Sequence, residues 1–391
     1  MDFYKRALEL SEELKANRRH IHKNPEVGLH LPKTCAFVLE KLAEYGIEGK
    51  PCGEGVTATI GKGGKVLLLR ADMDALPMPE ESGEAFACTT GTEAHACGHD
   101  THTAMLLTAA KLLKEQEDKL SGTVKLMFQP AEETFQGAQN MLDAGILQNP
   151  APDAALAIHS APGRHLPGEF YYNSKTTMMA SVDGFRIEIT GKGGHGSGPH
   201  NTIDPIHIAV QVFQGLEGLV AREADPRKLC VLTVGKFQAG NANNVIPSVA
   251  LLEGTLRTDE PGIRAQMVRR IKEVAEGITA ACGGTVKVEF PAQTPPLVCN
   301  PQVTDDMARY FSELPGANMK GYSGSESNGS EDFAAIAEKV PSAFFFVTCG
   351  FDDDRKNYGT HNPKVCFNEE YLPMGAAGLA ECAYRWLEEH K

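Results

Sequence analysis

The run Lys65-Val66-Leu67-Leu68-Leu69-Arg70, continued by Ala71-Asp72-Met73-Asp74-Ala75-Leu76-Pro77, carries the reading of the fold. A short, unbroken apolar run of this kind reads as a strand buried on both faces, as in a parallel sheet. Two carboxylates stand just past its carboxyl end, where open α/β sheets place their ligands. The arrangement recurs along the chain. Thr123-Val124-Lys125-Leu126-Met127-Phe128 precedes Gln129-Pro130-Ala131-Glu132-Glu133, and Ala154-Ala155-Leu156-Ala157-Ile158 closes on His159. Ala343-Phe344-Phe345-Phe346-Val347 is followed at some distance by Thr360-His361-Asn362-Pro363. Helical patterns lie between several of these strands. Two more precede them, one over 2–24 closed by Asn24-Pro25 and one from Lys33 to Tyr45 ended by Gly46. The alternation predicts an α/β protein with a doubly wound, mostly parallel sheet and one site along its carboxyl edge.

Between about residues 180 and 292 the rhythm changes. Phe185–Ile189 alternates as a half-exposed strand, and Ile203–Arg222 reads as a helix. Cys230–Phe237 and Ala250–Leu256 are two strands, Ile263–Cys282 is a helix, and Val286–Phe290 is a last strand. The order β-α-β-β-α-β predicts an inserted ferredoxin-like α+β domain. The expected organisation is a larger α/β domain over 1–179, a small inserted domain over 180–292, and the rest of the larger domain over 293–391. A chain of 391 residues suits two domains.

The composition, 42% hydrophobic and 23% charged, is that of a soluble globular protein, and a net charge of −13 argues against nucleic acid or anionic membrane as the main partner. No apolar run approaches a bilayer's thickness, and Met1-Asp2-Phe3-Tyr4-Lys5-Arg6 lacks the apolar core of a signal peptide. Ten cysteines are scattered singly, so the expectation is free thiols in a reducing cytoplasm.

The chemistry gathers at Ala94-His95-Ala96-Cys97-Gly98-His99-Asp100-Thr101-His102. Cys97 and His99 are alternate residues in a glycine-loosened turn, and a helix patterned over Thr101–Lys114 follows, with Asp100 or Thr101 as its cap. A helix N-terminus lowers a thiol's pKa. Alone, the pair fits an inert buried thiol beside a packing histidine, a nucleophilic Cys–His pair, or half of a metal site. With Glu133, His159 and His361 added at other strand ends there are five candidate ligands of mixed S, N and O type, which suits two ions. Adjacent side chains point in different directions, so one carboxylate of Glu132-Glu133 can bind metal while the other acts as a base; alternatively both merely cap a helix.

Arg70-Ala71-Asp72-Met73-Asp74-Ala75-Leu76-Pro77, His95-Ala96-Cys97-Gly98-His99-Asp100, Phe128-Gln129-Pro130-Ala131-Glu132-Glu133, Gly193-Gly194-His195-Gly196-Ser197, Asn244-Val245-Ile246-Pro247 and Ser330-Glu331-Asp332-Phe333 occur in that order. In this series, which runs from His20-Ile21-His22-Lys23-Asn24-Pro25-Glu26 to His361-Asn362-Pro363, the chain resembles the dimetal amidohydrolases that include hippurate hydrolase, N-acyl-amino-acid amidohydrolases and indole-acetyl-amino-acid hydrolases. The resemblance implies hydrolysis of an N-acyl amino acid, with a dipeptidase or carboxypeptidase as the alternative. It implies Cys97, His99, Glu133, His159 and His361 as ligands of two divalent ions (zinc, manganese, nickel or cobalt) and Glu132 as general base. It further implies His195 as an oxyanion donor that reaches a neighbouring subunit's site, and Asn244 and Arg257 as substrate-binding residues. The inserted domain would pair two subunits in a homodimer or homotetramer. The family's more distant peptidases carry His-x-Asp where this chain has Asp72-Met73-Asp74, so their histidine ligand is missing at Asp72, whose role the resemblance leaves open, and Asp74 is expected to orient a ligand. Thr360-His361 stands where Leu-His is usual. His102, His200 and His207 fall outside the matched positions and are read as structural or surface residues.

Overall fold

The computed structural model describes residues 1–163, 167–321 and 329–391. The chain divides into two compact units. The first comprises Met1–Met178, Val298–Gly324 and Ala335–Lys391, and the second Met179–Leu297 with the described part of Ser325–Ala334.

The first unit opens with α1 (Phe3–Glu9), α2 (Ser11–Lys23), α3 (Pro32–Glu44), β1 (Gly49–Cys52), β2 (Gly55–Gly61) and β3 (Val66–Asp72). It continues through α4 (His99–Lys114), β4 (Thr123–Gln129), α5 (Gly137–Asp143), β5 (Ala154–Ala161), β6 (Glu169–Tyr172) and β7 (Thr177–Met179). The helix expected over 2–24 is two helices, because Leu10 (φ −91°, ψ 4°) leaves the helical conformation between them and buries its side chain.

The second unit holds β8 (Val182–Thr190), β9 (Gly194–His195), α6 (Pro205–Glu223), β10 (Cys230–Ala239), β11 (Val245–Ile246), β12 (Val249–Thr258), α7 (Pro261–Ala281) and β13 (Thr285–Thr294). Then come β14 (Leu297–Val298), α8 (Pro301–Ser312), β15 (Asn318–Gly321), α9 (Ala334–Ala337), β16 (Ser342–Thr348) and α10 (Leu372–Glu389).

In the first unit eight strands form one sheet in the order β1-β2-β4-β3-β5-β16-β6-β15. Its centre, β4-β3-β5-β16, is parallel throughout, and antiparallel pairing begins only at β2 and β6. The fold class is therefore the mostly parallel α/β arrangement read from the sequence. All seven residues of β3 are buried, as its unbroken apolar run requires. Leu67, Leu69, Leu126, Leu156 and Phe345 from one face of the sheet share a core with Leu106 and Ala110 of α4, Met307 and Phe311 of α8, and Ala380 and Trp386 of α10. Strands β3 and β4 run in register to Asp72 and Gln129, and β5 pairs His159 with Phe346 of β16. These carboxyl ends lie side by side, and the loops leaving them carry the candidate site. His159 lies inside β5, not beyond it, because the ladder with β16 continues to Ala161 whatever the side chains.

The second unit is a four-stranded antiparallel sheet, β10-β12-β8-β13, with the β-α-β-β-α-β order of a ferredoxin-like domain. Phe185, Ile187 and Ile189 alternate with the partly exposed Arg186 and Glu188, and their buried face meets Val212 and Leu216 of α6 and Met267 and Ile271 of α7. Asp204 caps α6 by accepting from Ile206 N at 2.9 Å. Among the described residues no helix is long and apolar enough to cross a membrane.

Candidate metal centre

The Cys97-Gly98-His99 turn is built on Gly98. Its φ of +91° is a left-handed conformation that glycine adopts without penalty, and a Cβ there would lie 2.6 Å from the Phe367 ring. Gly98 is also the cap of α4, whose first residue is His99, so the expected caps Asp100 and Thr101 sit inside the helix. The reason is the close packing of Phe367, which only a bare glycine allows, whereas Asp100 is held from another direction by α2. Thr101 closes the turn by donating its hydroxyl to Gly98 O at 2.6 Å.

The Glu132-Glu133 doublet is aimed by Ala131, which takes φ +52°. Asp74 holds both sides of the site. Its carboxylate accepts from Glu132 N at 3.0 Å and Glu133 N at 3.2 Å, and lies 3.2 Å from His99 Nδ1. His361 also adopts a left-handed φ of +64°; its backbone N–H donates to Ala96 O at 2.8 Å, and its Nε2 lies 3.2 Å from Glu133 Oε1. His159 Nδ1 donates to Ser160 O at 2.8 Å, which turns the lone pair of Nε2 toward Cys97 Sγ, 3.5 Å away.

The structure thus brings together all five residues singled out as ligands, with Glu132 among them. Cys97, His99 and His159 each place a donor atom within 4.8 Å of the others, as do Cys97, Glu133 and His361, and His99, Glu132 and Glu133. Cys97 belongs to two of these triads. The buried atom His99 Nε2 has no hydrogen-bond partner, and Glu133 Oε1 meets His361 Nε2. A buried polar atom without a partner costs about 1–3 kcal/mol, and a cation between these donors would relieve it. The S, N and O set therefore fits divalent transition metals.

Electrostatics point the same way. Burial pushes the Cys97 thiol up, against the lowering expected from the helix terminus, because full desolvation with Glu133 and Glu132 nearby outweighs the pull of His99. A thiolate here needs a cation beside it, and that disfavours the unassisted nucleophilic pair. Burial and the neighbouring His102 hold His159 well below the usual histidine range, so it is neutral and able to ligate. Burial works against charge on Glu133 and His99, but their surroundings prevail: His361 and His99 lower Glu133, while Asp72 and Cys97 raise His99. The field that favours a proton on His99 also favours a metal ion.

Sequence reasoning missed one layer. Asp72 is fully buried between Arg70 Nη1 at 2.6 Å and His102 Nδ1 at 2.6 Å, and His102 Nε2 accepts from Ser160 N at 2.7 Å. Both nitrogens of His102 are occupied, so it acts as a buried strut between β3 and β5, and Asp72 lies beneath the ligands, 3.7 Å from His99 Nε2. The spacing of His99 and His102, one helical turn apart, was the available signal.

In the second unit, His195 is exposed on β9, paired with Val245 of β11. Ser197 N donates to His195 Nδ1 at 3.1 Å, so the neutral ring carries its proton on Nε2. Asn244 is exposed, and its carbonyl accepts from Gly196 N at 2.9 Å. Arg257, half-buried on β12, donates to Ser330 Oγ at 2.6 Å.

A family model described as peptidase family M20/M25/M40 matches residues 68–385. The chain belongs to this family. Among its relatives, thermostable carboxypeptidase 2 of Saccharolobus solfataricus is 36% identical, with 94% of each chain covered. N-acetyl-L-cysteine deacetylase of Bacillus subtilis is 37% identical over 98% of this chain and 90% of its own. The solved structure of the B. subtilis YXEP protein, a dinuclear metal binding peptidase from the M20 family, superposes with a TM-score of 0.80 at 32% identity, covering 97% of this chain and 99% of that one. The M20 membership accords with the amidohydrolase resemblance of the sequence motifs.

Proposed function

We propose that this M20 protein hydrolyses the amide bond of an N-acyl amino acid, releasing a carboxylic acid and a free amino acid. The observation that carries the reading is the convergence of Cys97, His99, Glu133, His159 and His361, with the buried Nε2 of His99 unpartnered, beside the second carboxylate of Glu132. These five residues would hold two divalent ions, and zinc, manganese, nickel or cobalt suits the mixture. When bound, the ions polarise the acyl carbonyl and acidify water.

Everything else falls to the chain's own groups. Glu132 takes the proton of the attacking water and delivers it to the departing nitrogen. His195 offers its outward Nε2–H where oxyanion charge develops. Arg257 and Asn244 hold the free carboxylate of the amino acid, a task for which a guanidinium fork is suited. Asp74 keeps His99 and the Glu132-Glu133 backbone in register.

The chain works as a homodimer or homotetramer. Ile206, Val210 and Phe213 form an exposed apolar stripe on α6, and the edge strand β10 exposes Val231 and Phe237. A cytoplasmic location accords with ten free cysteines.

Glu132→Gln keeps the shape of the side chain and removes the base; kcat should fall by about 10²–10⁴ with metal content unchanged. A variant of near-normal rate would end the assignment. The similarity to a carboxypeptidase supports a second reading, a peptidase using the same centre. Comparing rates on acetyl-amino acids and on dipeptides separates the two.

A further inference from the structure

Helix α2 lies ahead of the span matched by the family model, which begins only at residue 68. Two of its side chains converge on Asp100, the residue next to His99. Arg18 Nε donates to Asp100 Oδ2 at 2.9 Å, and His22 Nδ1 lies 2.8 Å from the same oxygen. The other carboxylate oxygen of Asp100 is buried without a partner, so the hydrogen bonds of this side chain go to α2. Arg18 is nearly fully buried; its Nη1 also donates to Phe367 O at 3.3 Å and lies 3.1 Å from Glu369 Oε1. Phe367 is the ring packed against Gly98. His22 Nε2 meets Glu80 Oε1 at 2.9 Å, so both of its ring nitrogens face carboxylates. Phe86 covers the array, 5.0 Å from the Arg18 guanidinium.

A buried ion array of this size is a poor way to gain stability, since desolvating its charges offsets their attraction. What it does supply is position. Asp100 and Phe367 flank the Cys97-Gly98-His99 turn, and Arg18 grips both. We propose that Arg18 and His22 are positioning residues for the metal centre, acting through Asp100 and Phe367 to fix where Cys97 Sγ and His99 Nε2 are held. The inference rests on the proposed centre, and it assigns to α2 a role in metal affinity. Groups standing behind a ligand commonly contribute 10–100-fold to affinity.

The test is metal titration of the full chain, stripped by chelation, with zinc and manganese against a competing chromophoric chelator. Arg18→Met and His22→Asn are compared with wild type and with Leu379→Ala, a buried α10 position with no part in the array. The expected result is a Kd at least about tenfold weaker in both array variants, with kcat reduced and KM for substrate unchanged, while Leu379→Ala loses thermal stability and keeps its Kd within about twofold. Should Arg18→Met fail to fold, His22→Asn, which removes the smaller group, carries the comparison. Array variants that fold and bind metal as wild type does overturn the inference, as does an equal loss in Leu379→Ala. Wild-type protein that takes up neither metal overturns the centre itself.

Discussion

Asp74 concentrates three duties in one carboxylate: it orients His99 and anchors the backbone N–H groups of Glu132 and Glu133. Truncation to Ala should weaken metal binding by about 10–100-fold and lower kcat, while far-UV dichroism stays unchanged; calorimetric titration checks this, and an unaltered Kd would remove Asp74 from the site. His22 makes a separate prediction. Burial opposes its charge, but Asp100 and Glu80, facing it from α4 and from the loop after β3, raise its pKa from 6.5 to about 9 against the opposing charge of Arg18 on its own helix. His95, whose ring centroid is 6.2 Å away, is held near 3 by burial and stays neutral. A pKa raised on folding stabilises the folded state below the unfolded value, and that contribution is lost as pH climbs through the folded value. The stability advantage of wild type over His22→Asn, measured by urea denaturation, should be full at pH 6 and largely gone by pH 9.5. An advantage that is flat across this range contradicts the assignment.

At the scale of elements, close approach decides what a position tolerates. Gly137 opens α5 directly against the loop that carries the Glu132-Glu133 doublet; a Cβ there would lie 1.6 Å from Pro130 O, a backbone atom with no room to yield. Gly137→Ala should cost about 3 kcal/mol and depress activity through the displaced doublet. Gly277, exposed in the interior of α7 with nothing within 4 Å of its would-be Cβ, should respond oppositely, gaining about 0.5–1 kcal/mol on substitution by Ala. Thermal unfolding of both variants tests the contrast. The break at Leu10 belongs to the same scale: the amphipathic pattern over 2–24 is real, but the backbone of Leu10 (φ −91°, ψ 4°) divides it into two helices.

For the whole molecule, the question is how copies assemble. If α6 and β10 pair subunits, then Val210→Asp, a charge placed in the exposed stripe, should shift the mass measured by light scattering to that of one chain. If His195 serves the centre of a second copy, Glu132→Gln and His195→Ala proteins, each inactive alone, should regain activity when subunits are exchanged between them. In the mixed dimer one site receives an intact Glu132 from its own chain and an intact His195 from the other. Activity that stays absent after proven exchange rules out the shared site.

The sequence by itself determined the strands, the ferredoxin-like run and the candidate donor set. Apolar runs and alternation are local signals, and Glu133 and His159 stand in or just after segments whose period can be counted, while Cys97 and His99 stand at the start of another. The parallel centre of the sheet and the meeting of Cys97, His99, Glu133, His159 and His361 follow from those segments once their carboxyl ends share one edge. Only the tertiary structure decided what stands behind them: Asp72 locked between Arg70 and His102, Asp74 tying His99 to the glutamate loop, and Arg18 and His22 reaching Asp100. It also reversed the expected shift of the Cys97 thiol, since desolvation depends on everything packed around a group and not on the helix it precedes. Arg18 and Asp100 are 82 positions apart, and His102 and Ser160 are 58 apart. No residue period encodes partners at such separations; they are fixed when packed helices and strands bring distant side chains into one dry volume, where each buried charge or ring nitrogen must find a counterpart.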